Sequence, residues 1–467
     1  MLIDTSIKPQ DLSKQLTRLF DLAAQKLCLI DKTWDPARGT PVFTAGGTYT
    51  SKGWTEWTQG FQYGCAILAF DVTHDRELLE LGRRNTLKRM APHITHTGVH
   101  DHGFNNLSTY GNLRRLMREG RIEHNDWELR FYELAIKASG AVQAARWSGV
   151  RVSEPSPRSA NAPQLGYIYS FNGPHSLFVD TMRTIRILGL AWQFGHWLAH
   201  ENDRKADLLK RLVLHALCTN QYILFHGDSG HTYDVRGRTA HEALFNLNDG
   251  NFRARSTQQG YSPFSTWTRG LAWAMLGYAE ELEFFATIDD GIFEASVGLP
   301  KVDVVAIFES AAKAACDHYM DGCAARDGIV YWDDGAPGLA MLGDWRSRDA
   351  EPFNDHEPVD SSASAIAAQG LLRLGRYLGG TAGQRYAAGG LSIARTLLSD
   401  AYLATDSSHQ GLLLHSVYHR PNNWDHIPPG RKIPCGESSM WGDYHLLELA
   451  TLLHRQINNK PYLAFFA

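Results

Sequence analysis

The 467-residue chain contains no CxxC pair. Its six cysteines (Cys28, Cys65, Cys218, Cys316, Cys323 and Cys435) are scattered, which excludes a disulfide framework and suits free thiols in a reducing compartment. No uninterrupted apolar run reaches the length of a membrane span. The opening stretch MLIDTSIKPQDLSKQL lacks the apolar centre of a signal peptide. Charge of either sign is not in excess: 46 Lys and Arg against 50 Asp and Glu leave a net charge of −4, which gives no footing for nucleic acid or an anionic membrane. The expectation is a soluble cytoplasmic protein. No stretch reads as a disordered interdomain linker; SEPSPRSANAP (153–163) comes nearest.

What is plentiful is helical periodicity. Apolar residues recur at three- and four-residue spacing over twelve segments: 11–28, 56–73, 75–92, 102–118, 126–147, 176–199, 203–225, 264–287, 302–320, 360–379, 383–401 and 440–457. Asp75, Asn125 with Asp126, and Asp360 stand where helix caps belong. Strand-like runs are few, GIVYW (328–332) and GLLLHSV (411–417) among them. Short links such as 73–75 and 200–203 alternate with long ones rich in Gly, Pro, Trp and His (29–55, 149–175, 226–263, 321–359 and 402–439). That alternation fits helical hairpins closed into a double ring with the long loops on one rim. The expected fold is all-α, an (α/α)6 barrel formed by residues 1–467 as a single catalytic domain.

A degenerate motif repeats around this ring. GWTEWTQGFQYG (53–64), FSTWTRGLAWAMLG (264–277), DSSASAIAAQGL (360–371) and SSMWGDYHLLEL (438–449) each place Ser or Thr, usually with Trp, before a helix that opens on small residues. Small residues let helices approach closely. Helix starts aimed at one cavity favour an anionic ligand, because their N–H groups are unpaired and carry partial positive charge.

Three constellations carry chemistry. HITHTGVHDHGF (93–104) holds His93, His96, His100, His102 and Asp101, which are residue types that bind transition metals. The HExxH arrangement is absent, however, and no second cluster completes a coordination shell, so neither a metal nor a cofactor is expected. In NGPHSLFVDTMRTIRIL (172–188), Pro174 suits a first helical turn, and Asp180 then falls about two turns inside among Phe178, Val179 and Met182, where desolvation favours a protonated acid. Arg269 and Trp273, four residues apart, share a helix face that suits a carboxylate on a sugar ring.

These motifs, in this order, resemble glycoside hydrolase family 88, the unsaturated glucuronyl hydrolases, and more distantly the unsaturated rhamnogalacturonyl hydrolases. The resemblance runs from about residue 53 to 453. It rests on WTQGF (57–61), HDHGF (100–104), VDTMRT (179–184), TAHEALFNLNDGNFRARSTQQGYS (239–262), WTRGLAW (267–273), VYWDDGAP (330–337), DSSASAIAAQGLL (360–372) and MWGDYHLLE (440–448). It implies an (α/α)6 barrel that removes a C4=C5-unsaturated uronic acid from the end of oligosaccharides left by polysaccharide lyases. It assigns Asp180 as the acid/base, protonated at the outset, and Asp101 as the ionised partner. Trp57, His100, Phe171, His241, Gln259, Arg269, Trp273, Trp332 and Ser361 become the substrate contacts. Three features depart from the family pattern: His102 stands in place of an apolar residue, Phe171 in place of Trp, and 227–238 looks rearranged. They bear on the substrate more than on the reaction. Two alternatives stand beside this reading: a sugar isomerase or epimerase that moves protons with the histidines, and a non-catalytic carbohydrate-binding barrel. The oligomeric state is not legible.

Overall fold

The computed structural model describes residues 1–53, 56–151 and 164–466. The 153–163 segment and Trp54 and Thr55 of the first repeated motif lie outside the described residues. Twelve long helices are present among the described residues, alternating along the chain between an outer and an inner ring. The outer six are Ser13–Thr33, Arg76–Arg89, Asp126–Ala145, Leu208–Tyr222, Lys301–His318 and Gly380–Leu397. The inner six are Gln59–Thr73, 102–118, 181–193, Thr268–Phe285, Ser361–Leu378 and Met440–Ile457, each packed on its ring neighbours so that the circle closes. The architecture is an (α/α)6 barrel.

Burial sorts the two rings. Ser13–Thr33 buries Leu16, Leu19, Phe20, Ala23, Leu27 and Ile30, an apolar stripe at helical spacing that covers the inner helices. Thr268–Phe285, by contrast, is buried along its whole length. The anticipated caps form: the side chains of Asp75, Asn125 and Asp360 each accept backbone N–H bonds from the first turns that follow them.

Glycines permit the tightest crossings. A Cβ on Gly103 would lie 2.0 Å from the Thr184 carbonyl oxygen, and one on Gly60 would lie 2.4 Å from the Asn105 carbonyl oxygen. Three inner helices therefore meet backbone to backbone near their starts. All the long connectors run from an outer helix to the next inner one, and so gather on the rim where the inner helices begin.

One expected helix is wrong in part. Within 176–199, Ser176–Phe178 is a strand, paired antiparallel with Glu242–Phe245, which in turn pairs with Phe252–Ser256. Helix starts only at Thr181, and the described helix ends at Gln193. Pro174 precedes a strand, and Asp180 is the residue before a helix instead of lying two turns inside one. The apolar run LFV is equally compatible with either state, and a distant partner strand decides it. The short helix Asp290–Val297 was not anticipated, and GIVYW and GLLLHSV make only isolated bridges.

Beneath the site the inner helices are tied by buried charge. Arg183, fully buried, reaches Glu448 Oε2 at 2.6 Å and Glu280 Oε2 at 3.0 Å. Arg186 and Arg373 also pair with Glu280, and Arg373 with Glu283. Arg183 is three residues beyond Asp180, so this network anchors the helix that carries it. No helix among the described residues is long and apolar enough to cross a membrane.

Candidate active site

Four inner helices begin at one cavity of about 350 Å³, a size suited to a small sugar ligand. Trp57 precedes Gln59–Thr73, His100 and Asp101 precede 102–118, Asp180 precedes Thr181, and Trp267 and Arg269 flank the start of Thr268–Phe285; all line it. So do Phe171, Gln259 and Trp273.

At the centre, one imidazole nitrogen serves two carboxylates. His100 Nε2 lies 3.0 Å from Asp180 Oδ1 and 3.8 Å from Asp101 Oδ1. The His100 ring is fixed by stacking on Phe171 (centroids 6.2 Å apart, 19° between planes) and by the edge of Phe178. Gln143 Nε2 donates to the His100 carbonyl at 2.8 Å and to Thr184 Oγ1 at 2.6 Å, joining the two helices that carry the acids.

The electrostatics of this trio run opposite to the expected protonation. Burial opposes the charge of Asp180, but the charge and hydrogen bond of His100, with His241 and Arg269 nearby, outweigh it and hold the carboxyl below its usual value. Burial pushes Asp101 up; the charge of His100 opposes this and Asp180 adds to it, and the carboxyl stays above its usual value. Burial would lower His100, but the two carboxylates raise it above 6.5. Within the trio, His100 and Asp101 hold a proton in preference to Asp180, because His100 sits closer to Asp180.

Trp57 and Trp273 stand on an aromatic wall of the cavity. Trp57 stacks on Trp441 at 5.1 Å and its indole N–H donates to the Tyr418 hydroxyl at 3.3 Å. Trp273 packs against Phe104 at 4.9 Å. Arg269 is more constrained than a free carboxylate fork. Its Nη1 donates to Asp360 Oδ2 at 2.8 Å and to the Val417 carbonyl, and its Nη2 to Gln259 Oε1 at 2.9 Å and the Tyr418 carbonyl at 2.7 Å. It supplies a pinned positive charge and orients Gln259.

Several expected contacts are not at the cavity. Trp332 is buried with its indole N–H on Glu357 Oε2 at 2.7 Å, and the Ser361 hydroxyl donates to the Leu414 carbonyl at 2.6 Å. Both belong to motifs that build the ring under the site, as Thr268 Oγ1 does by bonding to the Tyr331 and Trp332 carbonyls. His241 stands one layer behind the wall, against Phe178 and Trp267. Its Nδ1 accepts the Gln258 N–H at 2.9 Å, so the hydrogen sits on Nε2.

The histidine cluster separates into distinct roles. His102 Nε2 donates to the His96 carbonyl at 2.9 Å while its Nδ1 accepts from Ser139 at 2.7 Å, so this residue braces the 96–101 loop and does not line the cavity. His93 and His96 do line it; His93 bonds Gln59 at 2.8 Å. Segment 227–238 lies away from the cavity lining. Its Tyr233 packs on Phe264 at 4.6 Å and its Arg238 pairs with Asp334 at 3.4 Å. His318, Cys323 and Asp334 converge there with donor atoms within 4.8 Å of one another, but Arg238 already supplies the cation to Asp334.

Sequence reasoning missed Tyr418, His419, Asn422 and Trp424, which line the cavity from the 402–439 connector. The only signal was that connector's length and aromatic content.

No family model matches the chain. The chain is 25% identical over 421 residues to the unsaturated glucuronyl hydrolase of Bacillus sp. (strain GL1), covering 87% of this chain and 89% of that protein. It is 22% identical over 465 residues to the unsaturated chondroitin disaccharide hydrolase of Streptococcus pyogenes serotype M1, covering 96% and 93%. The crystal structure of the Bacillus sp. GL1 unsaturated glucuronyl hydrolase superposes with a TM-score of 0.65 at 21% identity, covering 95% of this chain and 97% of that one. A mutant of the Streptococcus agalactiae unsaturated glucuronyl hydrolase complexed with dGlcA-GalNAc6S gives 0.61 at 19% identity, covering 97% and 93%. These relatives bear out the resemblance to family 88 and the barrel. They support a hydrolase and not the isomerase alternative.

Proposed function

We propose that this chain hydrolyses oligosaccharides bearing a C4=C5-unsaturated uronic acid at the non-reducing end, by hydrating the double bond. The observation that carries the reading is the pair of carboxylates, Asp101 and Asp180, flanking His100 in an aromatic cavity at the barrel centre. Asp180 delivers its proton to C4 while cationic character develops at C5 and the ring oxygen. Water then adds to C5 and returns a proton to Asp180, and the resulting hemiketal opens with loss of the glycosidic bond. Asp101 stabilises the cationic stage. His100 favours the ionised form of Asp180. A bound uronate carboxylate beside it supplies the negative charge and desolvation that shift the proton from His100 to Asp180. Trp57 and Trp273 cover the ring faces, and Gln259 together with the converging helix starts holds the carboxylate. We read residues 1–467 as one catalytic domain. A cytoplasmic location suits the six free thiols.

Loss of ultraviolet absorbance of the conjugated double bond tests the reading. Lyase products of heparin, chondroitin, hyaluronan, gellan, ulvan and pectin form the panel, and no loss with any of them overturns it. The pH profile follows from the trio. One dissociable proton must remain in the cluster, and His100 is raised above 6.5 by Asp101 and Asp180, so it keeps that proton to higher pH. kcat/KM is therefore expected to fall as pH rises through this raised value. In His100→Asn the alkaline fall moves down toward the carboxylate range; an unmoved limb assigns the proton elsewhere.

A further inference from the structure

We propose that Arg146 is a positioning residue that holds the loop ending in His100 and Asp101 in register with the strand leading to Asp180. Arg146 follows the helix Asp126–Ala145 and is 5% exposed. Its Nη1 donates to the Thr97 carbonyl, its Nη2 to the Ser170 carbonyl at 2.6 Å and its Nε to the Tyr169 carbonyl at 3.1 Å, with the guanidinium 4.2 Å over the Tyr169 ring. Thr97 lies three residues before His100. Ser170 precedes Phe171, the ring stacked on His100, and Ser170 is joined to Ser176 through backbone and hydroxyl bonds. Ser176 begins the strand that ends two residues before Asp180.

One guanidinium thus ties the segment that ends in His100 and Asp101 to the segment that leads to Asp180. Among the described residues it binds three carbonyl oxygens and no carboxylate, so its hydrogen bonds serve geometry. A planar fork with donors on all three nitrogens can do this; an ammonium on a flexible stem cannot reach the same three acceptors. A shift of about 1 Å between these segments breaks the His100–Asp180 contact, and misplacement on that scale costs about 10²-fold in rate.

The kinetic arm rests on the proposed hydrolase reading; an imidazole titration does not. Arg146→Ala and Arg146→Lys are compared with wild type for kcat, KM, thermal midpoint, and the titration of His100 followed by nuclear magnetic resonance of labelled histidine. Both variants are expected to lose about 10²-fold in kcat with KM within a few-fold. Millimolar guanidinium, but not sodium at equal concentration, is expected to restore kcat in Arg146→Ala. The His100 titration discriminates position from charge. Arg146 lowers His100 by its charge, so removing charge alone raises it; parting the loops removes Asp180 and lowers it. A lowered titration restored by guanidinium supports the proposal even if no unsaturated uronide is turned over. A raised titration, or Arg146→Lys with wild-type kcat, overturns it, as does a lower thermal midpoint with kcat and titration unchanged.

Discussion

Asp180→Asn is expected to lower turnover of an unsaturated uronide by about 10²–10⁴-fold, the scale of a lost general acid and base, with affinity within a few-fold of wild type. The asparagine keeps the size of the side chain, and its carbonyl oxygen still accepts from His100 Nε2 where Asp180 Oδ1 does at 3.0 Å. What disappears is the proton for C4 and the base for water. Binding rests on groups the substitution leaves alone: Trp57, Trp273 and Gln259 on the wall, and the pinned Arg269. Rate is read from the loss of ultraviolet absorbance and affinity from the quenching of cavity tryptophans. Near-normal turnover would remove Asp180 from the mechanism. An equal fall in rate and affinity would make it a binding group.

Arg183→Met is expected to destabilise the fold by about 3–5 kcal/mol at neutral pH, the cost of breaking a buried ion pair on one side. Arg183 is fully buried between Glu280 and Glu448, and methionine fills part of its volume without its charge. Two carboxylates then face each other in the barrel. Burial, tempered by Arg183 and Arg373, already pushes Glu280 up to about 7. The native state therefore holds a proton there that the unfolded chain, near 4.5, gives up, so protonation favours the fold as pH falls below 7. Loss of Arg183 pushes Glu280 further up, and the destabilisation should shrink between pH 7.5 and 5.5 in denaturant titrations. A penalty that grows toward acid would contradict this account of the network. Glu448→Gln added to Arg183→Met is expected to recover part of the loss.

The ring was legible because its causes are local. Helical spacing, caps such as Asp75 and Asp360, and small residues at helix starts are all written within a few positions of the element they shape. The pair Asp101 and Asp180 was legible as chemistry but not as place. Asp180 sits at a helix start because Ser176–Phe178 pairs with Glu242–Phe245, and no local pattern encodes a partner more than sixty residues away. Trp332 and Ser361 share motifs with the site, yet their polar atoms bond inward to Glu357 and Leu414. A motif match transfers identity and not direction. Arg269 looked like an open fork because its acceptors, Asp360, Val417 and Tyr418, come from two other connectors. Tyr418, His419, Asn422 and Trp424 have no periodicity to betray them, since the barrel positions their connector and a helix does not.

The contact of Gly103 with the Thr184 carbonyl has a mechanical consequence. The two helices that open just after Asp101 and Asp180 touch there with no side chain between them, and Gln143 bolts the same junction. The paired carboxylates therefore ride on one rigid body. Thermal breathing of the ring moves this junction as a whole, so it falls to the ties on the entering loops, Arg146 to Thr97 and Ser170, to keep His100 on Asp180.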